Sequence, residues 1–271
     1  HRADRQPVRH RGGMTQFPDL DAVLGELTAG VQAALGENCL AVYLQGSFGV
    51  GDADEHSDVD FMVVVRQNLD EAELRALQAL HGRIYEMETE WARHLEGSYF
   101  PAALLRREDP ALTKLWYLDN TARVLERSDH DNSLVVRWVT RQHGLTLAGL
   151  PPQALIDPVD PDDLRREVRG VMHTWGAEIL EGRYGIGNRW AQPFAVLSYC
   201  RMLQTLETGT IESKPAGMRW GLAHLEARWH GLIERAWADR PDPSTKVRLP
   251  ADPADVDATL AFIRYAIELG G

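Results

Sequence analysis

Cysteine is nearly missing from these 271 residues. Cys39 and Cys200 are the only two, far apart and without metal-type spacing. Neither a disulfide framework nor a cysteine-type zinc site is suggested, and both cysteines are read as reduced, structural thiols. Long apolar runs are missing too: none approaches the roughly eighteen residues of a membrane span, and the start lacks a charged-then-apolar secretory pattern. The expectation is a soluble, cytoplasmic protein with no membrane partner, folding alone as a monomer. Positive charge is scarce, with 29 Lys and Arg against 40 Asp and Glu, a formal net charge of -11. The opening "HRADRQPVRHRGG" holds about +3 of its own, leaving about -14 for the rest. An acidic body disfavours nucleic acid, whose binding relies on neutralising phosphates, and suits a cationic or metal-bound small molecule. Residues 1–13 precede Met14 and lack apolar periodicity, so they read as an upstream extension or a disordered arm.

The body has ample apolar content, 44%, and its periodicity changes along the chain. Leu20, Val23, Leu24, Leu27, Val31 and Leu35 fall at helical spacing in residues 18–36. "CLAVYLQG" and "VDFMVVVR" read as buried strands, Leu69 to Ile84 as a helix, and "RHLEGSYF" as a third strand. From about residue 157 the pattern is helical throughout, after a proline-broken acidic linker in which Asp162 or Asp163 is the expected helix cap. One helix is expected through Leu164, Val168, Val171, Trp175 and Ile179, others through Phe194 to Leu203, Trp220 to Trp237 and Val256 to Leu269. The fold class is α+β: a mixed α/β domain over residues 14–156, then an all-α bundle over 157–271.

The chemistry concentrates in "LQGSFGVGDADEHSDVDFMVVV", residues 44–65. Asp58 and Asp60 open a strand two residues apart, so they point to one face while Val59 points into the core. If Glu96 lies at matching height on a neighbouring strand, three carboxylates meet. Two such charges about 4 Å apart repel by roughly 4 kcal/mol at an effective dielectric of 20. A divalent cation removes that penalty, and an all-oxygen donor set points to Mg²⁺, whose shell is usually completed by water and substrate phosphates. Gly46, Ser47 and Gly49 fit a turn whose backbone approaches a phosphate. Separately, an Asp-x-Asp or a Gly-Ser turn is an ordinary surface feature; together, ahead of a buried strand, they indicate a metal–nucleotide site.

These residues resemble the DNA polymerase β type nucleotidyltransferase superfamily, whose pattern is Gly-Ser, a short loop, Ser-Asp-x-Asp opening a strand, and a later carboxylate: here Gly46, Ser47, Gly49, Ser57, Asp58, Asp60 and Glu96. Within it the chain is similar to the aminoglycoside 3''-type adenylyltransferases. "LTLAGLPPQALIDPV" resembles their interdomain segment and "RMLQTLETGTIESKPAGMRWGL" their C-terminal signature, and the likeness runs from about residue 38 to 237. The resemblance implies a polymerase-β-like N-terminal domain, Mg²⁺ (two ions) on Asp58, Asp60 and Glu96, and ATP as co-substrate. It makes Glu96 the base on the acceptor hydroxyl. Gly46, Ser47 and Ser57 would bind nucleotide, with Arg201 and Lys214 reaching the phosphates from the second domain. The implied reaction transfers AMP to a hydroxyl of an aminoglycoside-type antibiotic, held between the domains, and releases pyrophosphate. Other acceptors of the same chemistry are another drug, a protein or a tRNA; a non-catalytic nucleotide-binding regulator is the alternative that the intact carboxylates oppose.

The sequence also departs from the family. Where the family has an acidic drug contact, this chain has Asn132 with Asp131 beside it, and residues 187–192 do not match. Asp131, Asn132 and Trp190 are the expected substrate contacts. His56 and His94 read as polar neighbours of the acidic site, His173, His224 and His230 as structural, and Trp175, Trp220, Trp229 and Trp237 as packing of the bundle.

Overall fold

The computed structural model describes residues 14–107, 109–241 and 243–271; the basic segment 1–13 lies outside the described residues. Along the chain run α1 (Pro18–Leu35), β1 (Cys39–Leu44), α2 (Gly46–Val50), β2 (Val59–Val65), α3 (Glu71–Tyr85), β3 (Leu95–Pro101), β4 (Leu115–Leu118) and β5 (Leu125–Ser128). They are followed by α4 (Leu134–His143), β6 (Leu145–Gly149), α5 (Pro152–Leu155), α6 (Pro161–Leu180), α7 (Ala191–Thr208), α8 (Lys214–His224), α9 (His230–Ala238), α10 (Pro243–Lys246) and α11 (Pro253–Gly270). Contacts gather these into two compact units. One holds the residues up to Leu44, Asp58–Asp131 and Leu145–Leu155; the other holds Gln45–Ser57, Asn132–Gly144 and Ile156–Gly271. Among the described residues no helix is long and apolar enough to cross a membrane.

The first unit is built on a six-stranded sheet in the order β5-β4-β3-β2-β1-β6. β2 and β3 are parallel and every other pair is antiparallel. A parallel pair needs a long crossover, and α3 lies within the connection that supplies it. Asp70 caps α3 in a reciprocal capping box with Glu73, which fixes where the crossover helix begins. All six apolar positions expected of α1 are buried, and the helix packs on α3. After Asp60 every residue of β2 is buried, as a central strand requires.

A titratable side chain is sealed into this core. His81 of α3 is 2% exposed; its Nε2 lies 2.8 Å from the Tyr99 hydroxyl, and its Nδ1 has no hydrogen-bond partner. Burial drives its pKa down from 6.5 to about 3, because the charged ring has no water to solvate it. The unfolded chain therefore binds the proton that the folded chain refuses. The stability contributed by neutral His81 is complete above pH 6.5 and is lost as pH falls toward 3. Linkage gives up to about 1.4 kcal/mol per pH unit, or roughly 2 kcal/mol between pH 6.5 and 5. Urea unfolding at pH 7 and pH 5 should show that loss in the wild type and not in His81→Gln; equal slopes in both would contradict it.

The second unit is helical. α7 is its hub, with α6, α8, α9 and α11 packed against it and Val196, Tyr199, Cys200 and Leu203 buried between them. Trp229 is buried against Phe262, and Trp175 stacks on Tyr199, as packing residues do. α4 joins α6 through its first turn: Glu167 accepts from the Leu134 and Val135 amides at 2.8 and 3.0 Å. The carboxylate thus satisfies two donors that a helix start leaves unpaired.

Several local expectations are corrected. The α6 cap is Asp160, whose carboxylate accepts from Asp162 and Asp163, because Pro161 occupies the first helical position and the cap falls one residue earlier. Val171 is 46% exposed, and Met172 and Gly176 take the buried stripe instead. The single helix expected over 220–237 is two, broken at residues 225–229 by an extended residue and a 3₁₀ turn. Residues 46–50, expected as a turn, form a short helix. β3 starts after His94, which sits in the preceding turn and so does not share the strand's alternation.

Candidate active site

In the first unit the site grows from the β2–β3 pair. The parallel register sets Asp60 opposite Glu96 and Val59 opposite Leu95. Residues paired in this way share a face, so the two carboxylates stand side by side while Val59, fully buried, anchors the strand start. Asp58 precedes β2 and is oriented from outside the strand: Asn120 donates to its Oδ1 at 2.6 Å. The Val59 amide donates to the His94 carbonyl at 2.8 Å, which extends the ladder by one bond toward Asp58.

Glu96 is held by two aromatic partners. The Tyr117 hydroxyl lies 2.7 Å from Glu96 Oε1 and 3.1 Å from Asp119 Oδ1, and His130 Nε2 is 3.3 Å from the same Glu96 oxygen. The hydrogen bond to Glu96 lifts the His130 pKa above its ordinary value. Tyr117 is raised by burial and then by the Glu96 and Asp119 carboxylates, so its phenol keeps its proton. Two residues along β3, Ser98 donates at 2.8 Å to Asp131 Oδ2. Asp131 is 7% exposed, and burial raises its pKa.

The turn after β4 supplies Asp119 and Asn120 and carries a strained residue. Thr121 has φ 67°, a left-handed conformation that β-branched residues rarely adopt, at roughly 1–3 kcal/mol. Its amide donates to the Arg93 carbonyl at 3.0 Å, which ties the turn to the segment before β3.

The second unit carries the other expected residues. Gly46 has φ 59°, where a side chain would be strained, so glycine is required for the chain to enter α2. Gly49 has a packing reason: a Cβ there would sit 2.9 Å from the His143 carbonyl oxygen of α4. Ser57 and Asp54 close their loop on each other, the Asp54 amide donating to Ser57 Oγ at 2.9 Å. Arg240 donates to Asp54 at 2.6 Å, and the Asp54 pKa is lowered by its hydrogen bonds, overcoming burial. Arg201 donates from Nε to the Glu212 carbonyl at 3.2 Å, two residues before Lys214, which opens α8 behind the Ser213 cap. Asn132 accepts from Arg137 at 2.8 Å. Trp190, 37% exposed, stacks on Phe194 at the start of α7.

As to metal, the donor set is all oxygen. Among the described residues no group of three His, Cys, Asp or Glu side chains is poised to hold an ion. Two aspartates with hard oxygens nonetheless suit Mg²⁺, which dehydrates reluctantly and commonly takes one or two carboxylates with the remainder from water and phosphate. Tyr117, Asn120 and His130 were not foreseen in the sequence; no spacing rule singles out a tyrosine, an asparagine and a histidine whose roles depend on sheet pairing.

Residues 35–99 match the nucleotidyltransferase domain and residues 154–263 the C-terminal domain of aminoglycoside adenylyltransferase. An aminoglycoside (3'') (9) adenylyltransferase of Shigella flexneri is 26% identical over 234 residues, 80% of this chain and 84% of that protein. A spectinomycin 9-adenylyltransferase of Staphylococcus aureus is 25% identical over 217 residues, 76% of this chain and 79% of the other. The crystal structure of a spectinomycin adenyltransferase from Enterococcus faecialis, with ATP and spectinomycin, superposes with a TM-score of 0.68 at 15% identity, covering 91% of this chain and 98% of that one. At that identity the superposition supports the α+β fold.

Proposed function

The chain belongs to the aminoglycoside adenylyltransferase family of nucleotidyltransferases, and from that premise we propose that it transfers AMP from ATP to a hydroxyl of an aminoglycoside-type antibiotic. The observation that supports this most is the pairing of Asp60 with Glu96 across parallel strands, beside Asp58, in the part of the chain that matches the nucleotidyltransferase domain. Glu96 takes the proton of the acceptor hydroxyl, the acceptor oxygen forms its bond to the α-phosphorus, and the bond to pyrophosphate breaks. Mg²⁺ held by Asp58 and Asp60 would supply charge neutralisation on the phosphates. Gly46, Ser47 and Ser57 are assigned to the nucleotide, and Arg201 and Lys214 to the charge of the departing pyrophosphate. Asp131, Asn132 and Trp190 are assigned to the acceptor. The net charge of -11 favours a polycationic acceptor. Asn132, a neutral residue where the resemblance implies an acidic one, favours an acceptor with one fewer ammonium contact there than the related drugs make.

The test is pyrophosphate release from ATP and Mg²⁺ across streptomycin, spectinomycin, kanamycin and lincomycin. Turnover with an aminoglycoside-type compound is expected. Silence with all of them, in protein that binds ATP, would overturn the acceptor assignment.

A further inference from the structure

We propose that Asn120 is a positioning residue for Asp58, with His94 setting the direction of its amide. The inference rests on the metal role given to Asp58 above and concerns how that carboxylate is aimed. Asp58 stands one residue ahead of β2, where the sheet ladder does not by itself fix a side chain. The amide of Asn120 reaches it at 2.6 Å, and Asn120 Oδ1 lies 3.1 Å from His94 Nδ1. An asparagine amide can be turned either way. With the Nδ1–H tautomer of His94 donating to Oδ1, the NH₂ end is directed at the carboxylate. This is the arrangement by which an outer hydrogen bond orients a metal-binding carboxylate.

The support behind Asn120 is itself fixed. Its backbone N–H donates to Asp119 Oδ1 at 2.9 Å, and Asp119 shares the Tyr117 hydroxyl with Glu96. One hydrogen-bonded path therefore joins the two carboxylates through a single turn. The strained Thr121 follows at once, its amide held by Arg93, the residue before His94. Both ends of the Asn120 contact are thus braced by the same stretch of backbone, and strain retained beside a site is what an over-determined geometry permits.

The test measures Mn²⁺ binding by electron paramagnetic resonance in the presence of a non-hydrolysable ATP analogue, so it does not depend on turnover. Asp58→Asn should lose the bound ion. Asn120→Ala should weaken Mn²⁺ binding by about 10- to 100-fold, with an unchanged unfolding temperature, and should add nothing further in the Asp58→Asn background. His94→Phe should reproduce part of the loss and His94→Gln, which keeps a donor, should restore it; this pair serves if Asn120→Ala does not fold. Wild-type binding by Asn120→Ala, with binding lost in Asp58→Asn, would overturn the positioning role and leave the metal assignment standing. Wild-type binding by Asp58→Asn would remove the metal assignment and the inference with it.

Discussion

Asp60→Asn should reduce the transfer rate by about 10³-fold, equivalent to about 4 kcal/mol of lost transition-state stabilisation, and leave the unfolding temperature unchanged or slightly raised. The two halves of this expectation have one cause. Asp60 and Glu96 are direct neighbours across β2 and β3, and like charges so placed disfavour the fold by roughly 0.2–1 kcal/mol. The amide is nearly isosteric and removes the repulsion, along with the negative charge that a metal–phosphate complex would use. A residue that served only structure would behave in the opposite way, losing stability while retaining turnover. Steady-state kinetics and a thermal melt on the same preparation decide between them; near-normal turnover would remove Asp60 from the chemistry.

Gly97→Ala should be the most damaging single-methyl change in the first unit. A Cβ at this position would lie 2.1 Å from the Phe61 carbonyl oxygen and 2.8 Å from its ring, distances that real atoms do not reach. The neighbour is backbone and cannot swing away. β2 and β3 are paired along seven consecutive positions, and β4 holds Gly97 from the other side against Leu118. Relief therefore requires the strands to part. The expected loss is more than about 3 kcal/mol, or roughly 6–12 °C in the unfolding temperature of a protein this size. A melt within about 2 °C of wild type would mean the sheet accommodates the methyl and that the β2–β3 spacing is softer than argued. The activity of the surviving fraction should also fall, since Glu96 is the adjacent residue.

The legible parts of this fold are those with strong, long-period patterns. Leu20 to Leu35 repeats its apolar residues over more than four turns, and the whole set is buried. "FMVVV" has no polar residue and lies in the middle of the sheet. Asp58 and Asp60 stood out because charge has no ordinary reason to open such a strand. The parts that sequence pattern does not reveal are short or non-local. β4 and β5 are four residues each, too short for alternation to declare itself, and β6 is a largely exposed edge. Tyr117 reaches Glu96 because β4 runs antiparallel to β3 with Ser98 opposite Tyr117; this register cannot be read before the strand is known. His130 sits in a turn of aspartates where a histidine would ordinarily be solvated. Thr121 gave no warning at all, since threonine is among the residues least expected at a positive φ.

The sequence order of the two units bears on how such a gene can be recombined. The matched C-terminal domain starts at residue 154, yet residues 45–57 and 132–144 belong to the same compact unit as the helices beyond it. Glu167 accepts from two amides of the first turn of α4, and Val139 shares a small core with Leu164 and Ile211. A crossover between relatives at the apparent module junction would therefore part α4 from the helices it packs against. A graft that is to carry the second unit as one compact body must bring residues 45–57 and 132–144 with it, so that body is discontinuous in the gene.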